Sequence, residues 1–439
     1  MSVDRRTFLK TAGAGAGAVL AGAGELSASS IGERAPAVQQ GSPDVVVVGA
    51  GAFGGWTALY LRQMGANVTL IDAYGPGNVR ATSGDEQRGI RTAYGDREQW
   101  TRWASEAITR WKRFDDEWGR EFGIRLFFPS GDLILRAEEE PFLQQTRATW
   151  DKAGVKYEVL TPDEVAYRWP VIGLDDVTIA LFEPDAGVAR ARRSCEAVAS
   201  VFQRLGGQLI VERARPALRI GDRLHDIVLA NHEVLTAQQF VFACGPWLGK
   251  MFPEILGKKM RTPLGYVCYF GTPIGDDRFT WPHLPSYNFP GVTGWPALPD
   301  DNRGFRVRGG GGGGGARNPE TDPDLSSRYI PAASLERPRQ FLASRFPALQ
   351  NAPIVQTHAC HYESSSSRNF IVDRHPAMHN VWIAGGGNAE GFKQGPVIGE
   401  YIAKRVLGTQ DDPEFDAQFK IPEEAYEEPT PQDRRRTSG

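Results

Sequence analysis

The stretch DVVVVGAGAFGGWTALYLRQMGANVTLIDAYGPG, residues 44–77, constrains this chain more than any other. Four consecutive valines, Val45 to Val48, suit a strand covered on both faces, as in a parallel sheet. Gly49, Gly51 and Gly54 follow, then a segment with Trp56, Leu59, Tyr60 and Met64 along one helical side, then a second strand, NVTLID, ending at Asp72. A lone GxGxxG is weak evidence. Strand, turn, helix, strand and terminal acid in this order read as a dinucleotide-binding unit. The glycines would serve a tight turn, close approach of backbone to a pyrophosphate at a helix N-terminus, and helix-to-strand packing, while Asp72 stands where it accepts hydrogen bonds from ribose hydroxyls.

NAD and FAD both use this unit, so the other end of the chain has to arbitrate. NVWIAGGGNAEGFKQGPVIGEYIAKRVLG, residues 380–408, reads as a buried strand, a second glycine-rich turn containing Gly385 and Gly391, and a helix starting near Gln394. A helix N-terminus at the centre of a sheet offers N–H groups and the positive end of a dipole to a flavin ring carrying negative charge. A site built from both chain ends suits the long, extended FAD molecule. An NAD-dependent reductase, which would purify without a flavin spectrum, and a cofactor-free binding protein, which would bind an amino acid without turning it over, are the other classes.

At 439 residues the chain exceeds one ordinary core, so a two-lobed protein is expected. Charged residues at 23%, hydrophobic residues at 41% and a net charge of −3 describe a globular protein and point to neither nucleic acid nor an anionic membrane as partner. Beyond the N-terminus no apolar run approaches the roughly 18 residues of a stable membrane span, and no metal site is expected. The N-terminus differs. VDRRTFLK, with Arg5 and Arg6 ahead of a Phe-Leu pair, precedes an Ala/Gly-rich apolar stretch, in the manner of a twin-arginine export signal. Residues 1–40 are therefore set aside as signal and linker, and the mature protein is expected in the periplasm or outside the cell.

Four cysteines, Cys195, Cys244, Cys268 and Cys360, allow zero, one or two disulfides. The first three read as core residues. Cys360 lies in THACHYESSSSRNFIVD, between His358 and His361, and the residues alone leave three readings open: an inert buried thiol, a disulfide partner, or a cofactor tether. As a tether it would attack as thiolate, with His358, His361 or Arg368 lowering its pKa.

Four blocks in order give the chain a family resemblance: residues 44–77, SGDEQRGIRTAYG at 83–95, FEPDAGVAR at 182–190, and CHYESSSSRNFIVDRHP at 360–376 with GFKQGPVIGE at 391–400. They are similar to the monomeric sarcosine oxidase and N-methyltryptophan oxidase group of the D-amino-acid-oxidase-like FAD enzymes. The similarity covers nearly all of the chain after the signal, and is poor from about 270 to 345. It implies an α/β fold with an α+β second lobe, in which a discontinuous Rossmann-like FAD-binding domain (41–95, 185–255 and 355–410) is joined to an antiparallel-sheet substrate domain (96–184 and 256–354), followed by a C-terminal extension at 411–439. It implies that Cys360 is joined through sulfur to the flavin 8α carbon. It gives Arg88 a place near the flavin, gives Arg91 and Lys393 the substrate carboxylate, and puts Tyr362 beside the amine.

The implied reaction is FAD-dependent oxidation of the C–N bond of an amino acid or N-methyl amino acid to an imine, with hydride passing to flavin N5 and oxygen as acceptor. Two departures bear on the acceptor. Arg306, in GFRVRGG, stands where the group carries a lysine credited with oxygen activation, and Ser83 and a glycine replace histidines beside the flavin. An exported dehydrogenase using a quinone or another carrier is the alternative. The seven glycines Gly309 to Gly315 predict a mobile linker, and the last residues a polar tail.

Overall fold

The computed structural model describes residues 44–299, 304–309 and 322–427. The expected export segment 1–40, the glycine run beyond Gly309 and the tail from residue 428 lie outside them.

The four valines occupy strand Asp44–Val48, near the middle of a six-stranded sheet. Its order is Ile371–His375, Met378–Gly385, Gln239–Phe242, Asp44–Val48, Asn67–Asp72, Gln208–Val211. Every neighbouring pair is parallel except the edge strand Ile371–His375, which runs antiparallel to Met378–Gly385. Alternate valines feed different cores, which is why the run is unbroken. Val45 and Val47 pack with helices Ala52–Gln63 and Gly391–Leu407, whereas Val46 and Val48 pack with Ala214, Ile227 and Leu229 on the other face.

The two helices meet through missing side chains. A Cβ on Gly399 would lie 2.4 Å from the Trp56 Cβ, and one on Gly395 would lie 2.7 Å from Trp56 Cδ1. The Trp56 indole fills the space and meets Trp111 of helix Glu98–Phe114 edge-on at 5.5 Å. The C-terminal helix begins at Gly391, ahead of the expected start near Gln394. Asn388 and Ala389 take left-handed φ values of 49° and 61°, and the Gly391 N–H already bonds the Gly387 carbonyl at 2.8 Å, so the turn delivers the chain into the helix before Pro396.

The second sheet has eight strands in the order Ile354–His361, Leu264–Phe270, Phe305–Gly309, Val292–Trp295, Ser286–Phe289, Asp132–Arg136, Ile179–Glu183, Glu158–Leu160. All neighbours are antiparallel except Ser286–Phe289 against Asp132–Arg136. One face packs on Phe341 and Phe346 through Tyr287 and Phe305. A short three-stranded sheet, Gln87–Ile90, Gly187–Arg190 and Phe127–Phe128, carries the RGIR segment. Gly89 lets it touch the large sheet, since a Cβ there would lie 2.4 Å from Trp295 Nε1. Among the described residues no helix is long and apolar enough to cross a membrane.

Candidate active site

Ligands of open parallel sheets sit outside the carboxyl ends of the strands, where strand order reverses. Here those ends are Val48, Asp72, Phe242 and Gly385, and the loops beyond them line a cavity of about 430 Å³. The cavity reaches from Gly49, Gly51 and Asp72 to Cys360, Tyr362 and Lys393.

The glycine fingerprint divides its work as expected. Gly49 has φ +107°, and a Cβ on it would lie 2.3 Å from the Ala243 carbonyl oxygen; one on Gly54 would lie 1.9 Å from that of Gly49. Gly54 thus packs helix on strand and does not line the cavity, whereas Gly51 faces it, and a Cβ there would meet only the Ser83 hydroxyl, at 3.6 Å. That hydroxyl accepts from the Ala52 N–H at 3.2 Å, leaving further N–H groups of the first turn for an anion. Asp72 Oδ2 accepts from Ala50 N–H at 2.8 Å and Oδ1 from Tyr74 N–H at 2.9 Å, so the acid fixes both flanking loops while facing the cavity.

Cys360 is buried on strand Ile354–His361. Burial alone would push its thiol up. The adjacent His358 imidazole and the Arg88 guanidinium, whose Nη2 lies 3.8 Å from Sγ, outweigh burial and bring the pKa down to about 7. His358 Nε2 is buried with no hydrogen-bond partner. The expected helpers need correcting. His361, one residue on, points to the opposite face and bonds the Thr262 carbonyl through Nδ1 at 2.9 Å; Arg368 is exposed and does not act on the thiol, and Arg88 supplies the charge instead. All four cysteines are unpaired. Burial pushes Cys195 and Cys244 up to about 12 and Cys268 to about 11. Cys244, expected in the core, lines the cavity, because its strand ends there.

Behind the thiol lies a buried ion cluster. Asp85 pairs with Arg88 and, at 2.7 Å, with Arg306 Nη2, and accepts the Tyr269 hydroxyl at 2.6 Å. These cations outweigh burial and hold its carboxyl well below the ordinary range. Arg306 is buried with its guanidinium 3.8 Å over the Trp295 ring, and its Nε and Nη1 have no partner.

Lys393, from the first turn of the C-terminal helix, pairs with Glu390 and donates to the Tyr94 hydroxyl at 2.9 Å. Burial would raise the Glu390 carboxyl, but Lys393, Arg91 and Arg308 pull it down to about 2. Arg91 Nε lies 3.7 Å from Asp132 Oδ2. Asp132 sits opposite Glu183 in the sheet register, and burial holds Glu183 up at about 7.

The structure therefore gathers Ser83, Arg88, Arg91, Arg306, Gly385 and Gly391 around the cavity with the residues at its two ends. Sequence reasoning missed Asp85, Glu363, Glu390 and Arg308. Asp85 and Glu390 each lie three residues before a singled-out cation, and Arg308 is two along a strand from Arg306, so those signals were available. Glu363 had no comparable signal. It is buried and accepts from the Gly387 N–H at 3.2 Å, tying the C-terminal glycine turn to the chain just beyond the Cys360 strand.

These residues fit FAD. A backbone cradle and a helix N-terminus suit the phosphates, Asp72 a ribose, and the apolar passage to Cys360 and the second helix N-terminus a flavin ring. Fold and site together define a dinucleotide-binding oxidoreductase. Residues 44–405 match the DAO family, described as FAD dependent oxidoreductase, and the chain belongs to that family. It is 26% identical to human peroxisomal sarcosine oxidase over 403 residues, covering 88% of this chain and 97% of that protein. It is 25% identical to N-methyl-L-tryptophan oxidase of Yersinia pestis, covering 84% and 95% respectively. Among solved structures, L-proline dehydrogenase from P. horikoshii superposes with a TM-score of 0.72 at 20% identity, covering 84% of this chain and 94% of that one.

Proposed function

We propose that the protein oxidises the C–N bond of an amino acid or N-methyl amino acid to an imine, which water then hydrolyses. The observation that carries this reading is the convergence of Arg91 and Lys393 on the cavity wall that also holds Cys360. Bound FAD supplies the two-electron acceptor for the C–H next to nitrogen. Asp132 Oδ2 lies 3.7 Å from Arg91 Nε, and among the described residues no hydrogen bond holds the terminal nitrogens, which leaves a planar fork of donors for a substrate carboxylate. Lys393, held by Glu390 and Tyr94, adds a fixed positive charge. Anchoring the acid end orients the reacting C–H. Tyr362 lines the cavity and borders the amine in this reading.

Cys360 serves as a flavin tether. Support comes from a thiol near neutrality on the cavity wall, while the three other thiols of the chain are far less acidic. Acid precipitation tests it: wild type should keep its yellow colour in the pellet and Cys360→Ser should release it, and complete release from wild type would sink the tether.

Arg306 favours the reading with a non-oxygen acceptor. The guanidinium that stands at the oxygen-activating position is locked between Asp85 and Trp295. A panel of amino acids and N-methyl amino acids, followed at the flavin absorbance without air and then with oxygen or a quinone, decides both substrate class and acceptor. Bleaching by none of them would overturn the function. Export is proposed from residues 1–40, and a reporter fused to this segment should stay inside the cell after Arg5→Lys with Arg6→Lys.

A further inference from the structure

Arg308 is a cation for which the reading above has no use. It lies on strand Phe305–Gly309, two residues from Arg306 and so on the same face, and it lines the cavity. Thr293, its cross-strand neighbour, lines the cavity too, as do Trp295 and Arg306 in the adjoining pair.

The other cavity cations near it are answered from within the protein. Asp85 takes Arg88 and Arg306, Glu390 takes Lys393, and Asp132 stands by Arg91. Among the described residues no hydrogen bond or ion pair reaches the Arg308 side chain. It is open to the cavity, yet the surrounding protein and the like charges of Arg306 and Arg88 pull its pKa below the ordinary arginine value. A ligand seated over this guanidinium displaces its water and has to supply a counter-charge of its own. The dinucleotide phosphates answer to the helix N-terminus near Gly51 on the other sheet, so they leave Arg308 unpaired. Glu390 acts on it only at a distance and is already committed to Lys393.

We propose that Arg308 is a specificity-determining residue that pairs with a second carboxylate on the substrate, making the preferred substrates amino-dicarboxylic acids or their N-methyl derivatives. This rests on the proposed amino-acid oxidation, in which the first carboxylate goes to Arg91 and Lys393. A bidentate guanidinium–carboxylate pair gives both affinity and orientation, and an analogue lacking the second acid would leave the guanidinium buried beneath substrate without a partner.

The test compares N-methyl-DL-aspartate with N-methyl-DL-alanine in the FAD-loaded enzyme. Wild type should favour the dicarboxylate in kcat/KM by roughly 10- to 100-fold, the scale of a charge-assisted hydrogen-bond pair. Arg308→Leu should collapse that ratio towards one, mainly through KM for the dicarboxylate, and Arg308→Lys should restore part of it. A second readout needs no turnover: glutarate should perturb the flavin absorbance at lower concentration than butyrate, and Arg308→Leu should erase the difference. Oxidation of both N-methyl acids without preference would overturn the role of Arg308 and leave the oxidation standing. Tighter glutarate binding with neither the N-methyl acids nor aspartate and alanine oxidised would support the anion site and sink the oxidation. Equal losses for both substrates in Arg308→Leu, unrelieved by Arg308→Lys, would also overturn it.

Discussion

Along the parallel sheet the cavity wall is made of backbone, at Gly49, Gly51, Gly385 and Gly391, whereas along the antiparallel sheet it is made of charged side chains, Arg306 and Arg308 beside Cys360. The first wall recognises by exclusion of Cβ atoms and the second by partly cancelled charge. The two should therefore fail differently. A glycine has one way to be wrong, by occupying space, while an ion cluster redistributes its loss among several partners and with pH.

The sharpest way to break the comparison lies just behind the backbone wall, where Gly54 packs helix on strand. Gly54→Val would drive side-chain carbon into the Gly49 carbonyl, which already lies 1.9 Å from an ideal Cβ, so the protein should purify without flavin and with reduced yield, as absorbance and circular dichroism would show. A fully flavinated variant would mean that the cradle is softer than this geometry. Next, Asp85→Asn leaves Arg88 and Arg306 facing each other without their shared carboxylate. Thermal or urea unfolding should show a loss of about 3–5 kcal/mol, the cost of breaking a buried pair.

A third prediction concerns Glu183, raised to about 7 in the fold against an ordinary value near 4.5. Its proton is held by the native state, so its stabilising contribution is complete below about 4.5 and is lost as pH rises through about 7. Glu183→Gln should remove that decline, worth on the order of 3 kcal/mol between those limits, in unfolding curves measured across pH. The smallest effect is kinetic. If tethering needs the Cys360 thiolate, flavin attachment to apoprotein should quicken as pH rises through about 7, with no further gain well above it.

Sequence exposed the backbone wall well, because spacing within two segments, 44–77 and 380–408, dictates it. Val45 to Val48, the three glycines and Asp72 lie within 44–77 and close on one another through a single strand–helix–strand unit. The charged wall was legible only residue by residue. Arg91, Lys393 and Cys360 carried their own signals through resemblance. Glu390 lies three residues from Lys393 and His358 two from Cys360, but Asp132 reaches Arg91 from the large sheet and Arg88 reaches Cys360 from the small one. Which cation is neutralised depends on strand register, which no local pattern reveals. Misplacing the helpers of Cys360 has the same origin, since alternation along the strand turns His361 away while Arg88 arrives from a different sheet.

The contrast among the thiols offers a gauge of the proposed tether. Cys195, Cys244 and Cys268 stay protonated at neutral pH, so a maleimide applied briefly to flavin-stripped protein should find only the sulfur of Cys360, and, with the proposed tether, only in chains that carry no attached flavin. Label per chain, read by mass, would then give the fraction left untethered.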